Sequence, residues 1–345
     1  MSEEIENPEE EQELFEHHHF VVDKGQQLLR IDKFLMNRMD SVSRSRIQAA
    51  THAGNILVNN NPVKPNYRVK PNDSISIVLA FPPREFELIS ENIPFENVYE
   101  DKDILVINKA AGMVVHPGNG NFTGTLVNAL LYYFEQKKEE NVSPYLVHRI
   151  DKNTSGIILA AKNELAQAKL AKQFFNHSID RKYIALVWGD FEENEGTIEG
   201  NIGRSQRDRK IMAVYPEGDT GREAITHYKV LERFGYTTLI ECTLETGRTH
   251  QIRVHLKYAG HPLFNDETYG GNRILKGTIF TKYHQFIDNC FKLLPRQALH
   301  AKSLGFIHPD SNKYVFFDSE LPADMQAVLE KWRRYIADKK NEFEE

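Results

Sequence analysis

The sequence predicts an α+β protein made of a small basic module followed by a larger domain with a mostly antiparallel sheet. First, 345 residues are enough for two domains. Second, residues 28–80 contain two short helical patterns and then a small hairpin. Third, beyond residue 92 strand patterns outnumber helical ones, and their connections are mixed.

The composition is that of an ordinary globular protein, with 40% hydrophobic and 27% charged residues. No apolar run reaches the roughly 18 residues of a membrane span, and the N-terminus has neither the basic nor the apolar region of a signal peptide. We therefore expect a cytoplasmic protein without a membrane partner. Cys242 and Cys290 form no C-x-x-C pattern, so we expect buried free thiols and no metal site.

Charge is distributed unevenly along the chain. The net charge is −6, but residues 1–20 hold eight glutamates and no lysine or arginine, so the remainder carries +2. We expect residues 1–24 to be an acidic disordered tail, and the histidines at 17–19 to belong to it and not to a metal site. Residues 28–80 contain eight basic residues against three acids, a balance that favours nucleic-acid binding.

The basic module begins with apolar residues at helical spacing from Leu29 to Leu35, and Ser43 is placed to cap a second helix. The stretches RIDKFL (Arg30–Leu35), SRSRIQAATHAGNILVNN (Ser43–Asn60) and VKPNDSI (Val69–Ile75) resemble the S4 RNA-binding domain, which would span residues 25–85. The resemblance implies that basic side chains on these helices contact RNA phosphates, where the helix dipole also favours an anion. They are Arg30, Lys33, Arg44 and Arg46.

The larger domain is expected over residues 92–337, before a charged tail at 338–345. Its strand patterns follow the apolar runs: Ile104–Lys109, Ile157–Ala161, Lys182–Val187, Ala224–Glu232, Tyr236–Leu244, Ala298–Leu304 and Lys313–Phe317. Its helical patterns are fewer: Thr125–Phe134, Glu164–Phe175 and Met325–Ile336.

Two short clusters, HRIDKNTSG (His148–Gly156) and GRTHQIRVH (Gly247–His255), concentrate residues capable of chemistry. Asp151 in the first could be a turn aspartate or form a surface ion pair with Lys152 or Arg149, but the apolar segments on both sides indicate a position at the edge of a central sheet. In the second, Thr249 is predicted to cap a helix that partly buries Arg253, and a buried arginine requires an acidic partner. The common nucleotide, metal and hydrolase signatures are absent from the sequence, so we expect no cofactor and no metal.

Both clusters, with RKYIALVWG (Arg181–Gly189) between them, resemble the motifs of RluA-type pseudouridine synthases. INKAAGMVVHPG (Ile107–Gly118) and HPLFNDETYGG (His261–Gly271) resemble further family motifs. Ala110 stands where proline is usual, and Asn265 where glycine is common; asparagine can adopt a left-handed turn.

The resemblance implies a role for each motif residue. Asp151 would be the carboxylate that acts on a uridine, although whether it attacks the base or the sugar, or promotes elimination, is left open. Arg253 would be its ion-pair partner, and Tyr183 would stack on the uracil and assist proton transfer. Arg149 would fill the gap left by a flipped base. The remaining substrate contacts would come from His148, Arg248 and His250.

The resemblance also implies a structured RNA partner. The S4 module favours 23S ribosomal RNA, or a large-subunit assembly intermediate, bound by a monomer. A tRNA-directed synthase and a non-catalytic assembly factor remain alternatives. A base-removing glycosidase is a further alternative, but such enzymes use two placed carboxylates, and only Asp151 lies in a motif.

Overall fold

The computed structural model describes residues 15–39, 44–79, 89–118, 121–137, 144–208 and 211–344. The chain divides into two compact units, Met1–Glu87 and Leu88–Glu345. This division lies between the predicted end of the first domain at residue 85 and the predicted start of the second at residue 92. No helix within the described ranges is both long and apolar enough to cross a bilayer.

The first unit packs two helices on a four-stranded antiparallel sheet with strand order β1-β4-β2-β3. Its core joins both helices to the sheet through Phe34, Leu35, Ile47 and Ile75. The elements are β1 (Phe15–Val21), α1 (Ile31–Met36), α2 (Arg44–His52), β2 (Ile56–Val58), β3 (Asn61–Pro62) and β4 (Ser74–Leu79).

Strand β1 corrects the predicted disordered tail. The prediction is wrong for residues 15–21, which pair with β4 so that Phe20 lies opposite Ile75. The physical reason is that Phe20 and Val22 pack on the core of this unit, and this burial outweighs the acidic composition that favoured disorder. Residues 1–14 and the predicted cap Ser43 lie outside the described residues.

The second unit is built on a ten-stranded sheet with the path β10-β13-β14-β9-β15-β8-β6-β5, while β16 pairs with β15 and β7 with β8. Among the strands that the structure describes in this unit, only β8 and β15 pair in parallel and the other pairs are antiparallel, so the predicted α+β fold is confirmed. The strands are β5 (Glu96–Glu100), β6 (Ile104–Lys109), β7 (Tyr145–Leu146), β8 (Ser155–Ala161), β9 (Asp180–Trp188), β10 (Glu195–Glu199), β13 (Ile225–Arg233), β14 (Thr237–Leu244), β15 (Leu299–Ile307) and β16 (Tyr314–Asp318), with β11 (Asn201–Arg204) and β12 (Met212–Tyr215) forming a separate pair. The helices are α3 (Leu126–Gln136), α4 (Glu164–Phe175), α5 (Gln251–Tyr258), α6 (Thr281–Leu293) and α7 (Ala323–Glu344).

Helices cover both faces of this sheet, and strand β9 separates the two cores. Tyr183 and Val187 face a core that includes α3 and α5, whereas Ile184 and Leu186 face a core that includes α6 and α7. This alternation follows from the two-residue period of a strand. It places Tyr183 on the face that carries α5, the helix of the second cluster.

Two helical segments differ from the prediction. Helix α6 was not predicted, although Tyr283, Ile287 and Cys290 recur at helical spacing and are buried. The segment predicted as a charged tail from residue 338 continues α7 as far as Glu344, because it contains no glycine or proline to end the helix. Cys242 and Cys290 are buried free thiols, as predicted.

Candidate active site

The first cluster forms the loop between β7 and β8, and two basic side chains hold it by hydrogen bonds to its backbone. Lys109 Nζ donates to the carbonyl of Lys152 at 3.1 Å, and Arg296 Nη1 donates to the carbonyl of Asn153 at 3.1 Å. These are the two residues that follow Asp151, whose own side chain is 19% exposed. The loop is thus fixed while the carboxylate stays accessible.

Gly156 anchors the end of this loop, where β8 meets β15 in parallel. Its φ is +113°, and a Cβ built there would lie 2.1 Å from the carbonyl oxygen of Ala301. No other residue type fits this close approach. Beside it, Ser155 Oγ and His300 Nδ1 form a 2.9 Å hydrogen bond between the same two strands.

The second cluster turns into α5 without the predicted cap. Helix α5 begins at Gln251, and His250 before it adopts a left-handed conformation with φ 57° and ψ 21°, so Thr249 does not cap the helix. The cap prediction is wrong because Gln251 Oε1 accepts from the N–H of Arg248 at 2.9 Å and from Thr246 Oγ1 at 2.8 Å. A glutamine side chain therefore closes the turn in place of the threonine hydroxyl.

Arg253, on α5, pairs with two carboxylates. Its Nη1 donates to Asp151 Oδ2 at 3.0 Å. Its Nε and Nη2 donate to Asp266 Oδ2 and Oδ1 at 2.7 and 2.9 Å, and Asp266 is fully buried. Both carboxylates raise the pKa of Arg253 against the effect of burial, with Asp266 contributing more. Arg253 therefore stays charged and offers one fixed N–H to Asp151.

His250 faces the other oxygen of Asp151. Its Nε2 lies 3.9 Å from Asp151 Oδ1, and its Nδ1 lies 2.9 Å from the hydroxyl of Tyr269. That hydroxyl accepts the N–H of Met212 and, because burial raises the pKa of Tyr269 to about 12, it keeps a proton to donate to Nδ1. Burial lowers the pKa of His250, which favours the neutral ring. A neutral ring whose Nδ1 accepts from Tyr269 carries its proton on Nε2, on the side of Asp151.

Tyr183 lies in the same small cavity as Asp151, Arg248 and Arg253. Its ring is buried, and burial raises the pKa of its phenol. Its hydroxyl donates to and accepts from none of the residues that the structure describes. The phenol is therefore neutral, and its hydrogen-bonding capacity remains open to a molecule in the cavity.

Of the other predicted contacts, Arg149 and Arg248 line the cavities around Asp151, and Arg149 is exposed. His148 is placed differently. Its Nε2 accepts the backbone N–H of Leu159 at 2.9 Å, and its ring stacks on Phe174 at 4.7 Å. Burial, reinforced by the nearby Arg181 charge, lowers the pKa of His148 to about 3. The accepting Nε2 of this neutral ring holds strand β8, so that nitrogen does not serve the predicted substrate contact.

Comparison with known proteins assigns both units. Residues 103–258 match the family described as RNA pseudouridylate synthase, and residues 29–75 match the S4 domain. An uncharacterized RNA pseudouridine synthase of Chlorobaculum parvum is 48% identical over 317 residues, which cover 90% of this chain and 96% of that protein. This chain belongs to the RNA pseudouridine synthase family.

Two further relatives agree with this assignment. The ribosomal large subunit pseudouridine synthase D of Zymomonas mobilis is 40% identical over 305 residues, covering 87% of this chain and 92% of that protein. Among solved structures, human RNA pseudouridylate synthase domain containing 1 matches with a TM-score of 0.52 and 26% identity, covering 69% of this chain and 89% of that chain. The predicted family and enzyme class, an isomerase that converts uridine in RNA to pseudouridine, are confirmed.

In the S4 domain of this synthase, two of the predicted RNA contacts share one buried acid. Asp32 is fully buried and accepts from Arg30, Arg44 and Gln48 at 3.0 to 3.2, 2.9 and 3.1 Å. Burial opposes its ionisation, but these donors outweigh it and lower the pKa of Asp32. Arg30 and Arg44 remain part-exposed, and Lys33 is exposed. The side chain of Arg46 lies outside the described residues.

One group of potential metal ligands occurs within the described ranges of the synthase: Asp101 and Asp103 in the turn between β5 and β6, and His308 directly after β15. His308 Nε2 pairs with Asp101 Oδ2 at 2.8 Å, and its Nδ1 accepts backbone N–H groups of the following turn. Both ring nitrogens are thus in use. Asp103 Oδ2 is buried and makes no hydrogen bond to the described residues, but with the histidine nitrogens occupied the group leaves too few ligands for a metal. We assign it no metal.

Asp266 and Tyr269 belong to the site but were not predicted from the sequence. Both lie in HPLFNDETYGG, whose resemblance to a family motif was noted without a role for either residue. The available signal was the buried Arg253, since a buried arginine requires an acidic partner, and Asp266 follows it by 13 residues. Lys109 and Arg296 were missed as well, because they act on backbone carbonyls and no sequence pattern reports such contacts.

Proposed function

We propose that this synthase modifies uridines of the large-subunit ribosomal RNA, with Asp151 as the catalytic carboxylate. The Zymomonas mobilis relative, which spans both units, carries the name ribosomal large subunit pseudouridine synthase D. A Nitrosomonas europaea relative with the same name is 39% identical over 302 residues, covering 88% of this chain. The substrate would be 23S rRNA or an assembly intermediate, bound in the cytoplasm by a monomer.

The observation that carries the proposed site is the meeting of three separate motifs at Asp151. Arg253 binds Asp151 Oδ2, Tyr183 lines the adjoining cavity, and Asp151 and His250 line a further cavity of about 440 Å³. Asp151 Oδ1 makes no hydrogen bond to the described residues. It is the oxygen left to face a nucleotide.

The isomerisation requires few groups. The N1–C1′ bond of the uridine breaks, a C5–C1′ bond forms, C5 loses its proton and N1 gains one. Asp151 Oδ1 acts at the nucleotide while Arg253 compensates the charge of the carboxylate. The open hydroxyl of Tyr183 is placed to relay the proton at C5. This balance calls for no redox partner.

Reaching the uridine requires base flipping, which costs a few kcal/mol of unpairing and unstacking. Arg149 is exposed beside Asp151, so its planar guanidinium can stack where the base stood. Arg248 and His250 line the pocket that receives the base. In the S4 domain, Arg30, Lys33, Arg44 and Arg46 would bind RNA phosphates, which gives affinity without sequence information.

A glycosidase is disfavoured by the state of the second carboxylate. Asp266 is fully buried, and both of its oxygens bind Arg253. It can neither protonate a leaving group nor activate a water, which are the tasks of the second carboxylate in a glycosidase.

The proposal is tested by tritium release from transcripts labelled at uridine C5, because that hydrogen leaves during isomerisation. Wild type and Asp151→Asn are compared on 23S rRNA, 16S rRNA and bulk tRNA, with wild-type and mutant melting temperatures as the control. We expect release from 23S rRNA by the wild type alone. Release from tRNA alone would overturn the substrate, and release by the variant would overturn the role of Asp151. Free uracil as product would indicate a glycosidase.

A further inference from the structure

Another cavity, of about 500 Å³, is lined by Asp151 but not by Arg253, and it is rich in arginines. Four arginines line it but only one carboxylate, Asp151 itself, and the charge of that carboxylate is already compensated by Arg253. The arginines are Arg149, Arg181, Arg222 and Arg248. The cavity therefore carries a positive charge that no described side chain neutralises within it.

Arg181 is the most deeply placed of these cations. It is 7% exposed, and within the described part of the chain its Nη2 donates only to the carbonyls of Leu244 and Glu245, at 3.4 and 3.1 Å. Its Nε is buried without an acceptor, and no carboxylate among the described residues pairs with it. A buried cation without a counter-ion is costly, so an anion that reaches this guanidinium is strongly favoured.

The approach to Arg181 is kept open by Gly247, the first residue of the second cluster. A Cβ built on Gly247 would lie 2.7 Å from Arg181 Nη1. Arg181 and Tyr183 share one face of β9 because they are two residues apart on the strand. An anion at Nη1 would therefore lie beside the nucleotide that stacks on Tyr183.

The rim of the cavity adds an aromatic surface. Phe175, at the end of α4, is 82% exposed and lines the same cavity. Exposed aromatic rings next to arginines are typical of proteins that bind unpaired nucleotides, where the ring stacks on a base and the arginines follow the backbone. The anion that this combination fits is an RNA phosphate.

We propose that Arg181, reached past Gly247, binds a backbone phosphate next to the flipped uridine. This site rests on the proposed function, because the phosphate belongs to the same RNA strand as the uridine at Asp151. Arg181 would act by binding and orienting the strand and would take no part in bond making.

The test compares Arg181→Met with Lys182→Met, a matched control from the neighbouring position of β9. Lys182 pairs with Glu241 on the other face of the strand and does not line the cavity, so its loss removes one charge elsewhere. For Arg181→Met we expect KM for labelled rRNA to rise about ten- to hundredfold with little change in kcat. The slope of log affinity against log salt should fall by about 0.7 to 0.9. Lys182→Met should leave KM and kcat unchanged.

A second measurement does not depend on activity. Inorganic phosphate, against sodium chloride at equal ionic strength, should raise the melting temperature of the wild type and of Lys182→Met more than that of Arg181→Met. Gly247→Ala keeps the arginine but fills the approach, and it should behave like Arg181→Met. If Arg181 only braced the carbonyls of the turn, its loss would lower the melting temperature and leave the phosphate effect unchanged, which would overturn the proposal.

The two measurements separate the possible failures. If no RNA is a substrate but the phosphate effect depends on Arg181, the proposed function fails and the anion site stands. If the phosphate effect depends on Arg181 while KM and the salt slope match those of Lys182→Met, the site takes free phosphate, and an RNA phosphate is excluded. Equal behaviour of Arg181→Met and Lys182→Met in both measurements overturns the site.

Discussion

Arg253 pairs with two carboxylates, Asp266 and Asp151. Asp266→Asn is expected to weaken the first pair while it leaves the carboxylate of Asp151 in place. Two of the three hydrogen bonds that Arg253 makes to carboxylates go to Asp266, which is fully buried. An asparagine of the same shape offers only one acceptor oxygen. Whichever way its amide turns, an NH₂ group faces either Nε or Nη2, so one buried donor loses its acceptor and the buried guanidinium loses its main counter-charge.

The expected loss of stability follows from this count. Removing one partner of a buried ion pair costs about 3–5 kcal/mol. Asp266→Asn should lie near the lower limit, at about 3 kcal/mol, because one acceptor remains and Asp151 still faces Nη1. For a unit of this size, each kcal/mol lowers the melting temperature by about 2–4 °C. The expected decrease is therefore about 6–12 °C.

Asp151→Asn is the matched comparison, because it removes the other carboxylate from the same guanidinium. Asp151 accepts only one hydrogen bond from Arg253 and is part-exposed, so we expect a loss of at most about 1 kcal/mol. Its activity should nevertheless disappear. Asp266 does not line the cavities at Asp151, so Asp266→Asn should lower kcat, by about a hundredfold through misplacement of Arg253, and leave KM nearly unchanged.

The assay pairs calorimetric melting with steady-state tritium release for both variants. A melting temperature of Asp266→Asn within about 2 °C of the wild type would refute the claim that this pair anchors Arg253. A wild-type kcat with a lowered melting temperature would refute the claim that the anchor positions Asp151.

Three further outcomes are expected. Tyr183→Phe should keep the melting temperature within about 2 °C of the wild type, because the hydroxyl makes no hydrogen bond to the described residues. It should nevertheless lower tritium release, and undiminished release would show that Tyr183 only packs. Burial lowers the pKa of Lys109 to about 7, below that of a lysine in the unfolded chain. Above pH 7 the unfolded chain therefore binds more protons than the folded one, and the free energy of unfolding should rise with pH between about 7 and 10. Melting curves of wild type and Lys109→Met test this, and equal pH slopes would contradict it. Tyr269→Phe should release Nδ1 of His250 and mix its tautomers, which ¹⁵N NMR of the ring detects; an unchanged tautomer would show that Tyr269 does not set it.

Local patterns in the sequence predicted much of the second unit because its elements are buried on regular faces. The run Ile157–Ala161 is buried throughout, and helix Glu164–Phe175 has the predicted bounds. Burial on regular faces leaves a periodic signal that a single sequence retains. Strand β1 left no such signal, because it carries glutamate and histidine on most positions and is held by pairing with β4, whose paired residues lie 53 or more positions away along the chain.

The sequence predicted which residues form the site better than it predicted their geometry. Asp151 and Arg253 were expected to pair, and the structure brings them to 3.0 Å. The turn into α5 was not predictable from capping rules, because His250 takes a left-handed conformation and Gln251 closes the turn with its side chain. That turn decides where the His250 ring points, which sequence spacing alone does not determine.

Around Asp151, the residues that hold the loop are not the residue that compensates the charge of the carboxylate. Lys109 and Arg296 lie behind the loop, but they donate to backbone carbonyls and leave the carboxylate alone. Among the described residues, Arg253 alone pairs with the carboxylate at hydrogen-bond distance, and most of its own hydrogen bonding is committed to Asp266. One oxygen of Asp151 therefore remains without a hydrogen bond to the described residues, and a single N–H compensates the charge of the carboxylate. The loop itself is held by the hydrogen bonds to its backbone. The unbound oxygen is what the proposed reaction with a nucleotide requires. Hydrogen bonds from Lys109 and Arg296 to the carboxylate, in addition to that from Arg253, would occupy it.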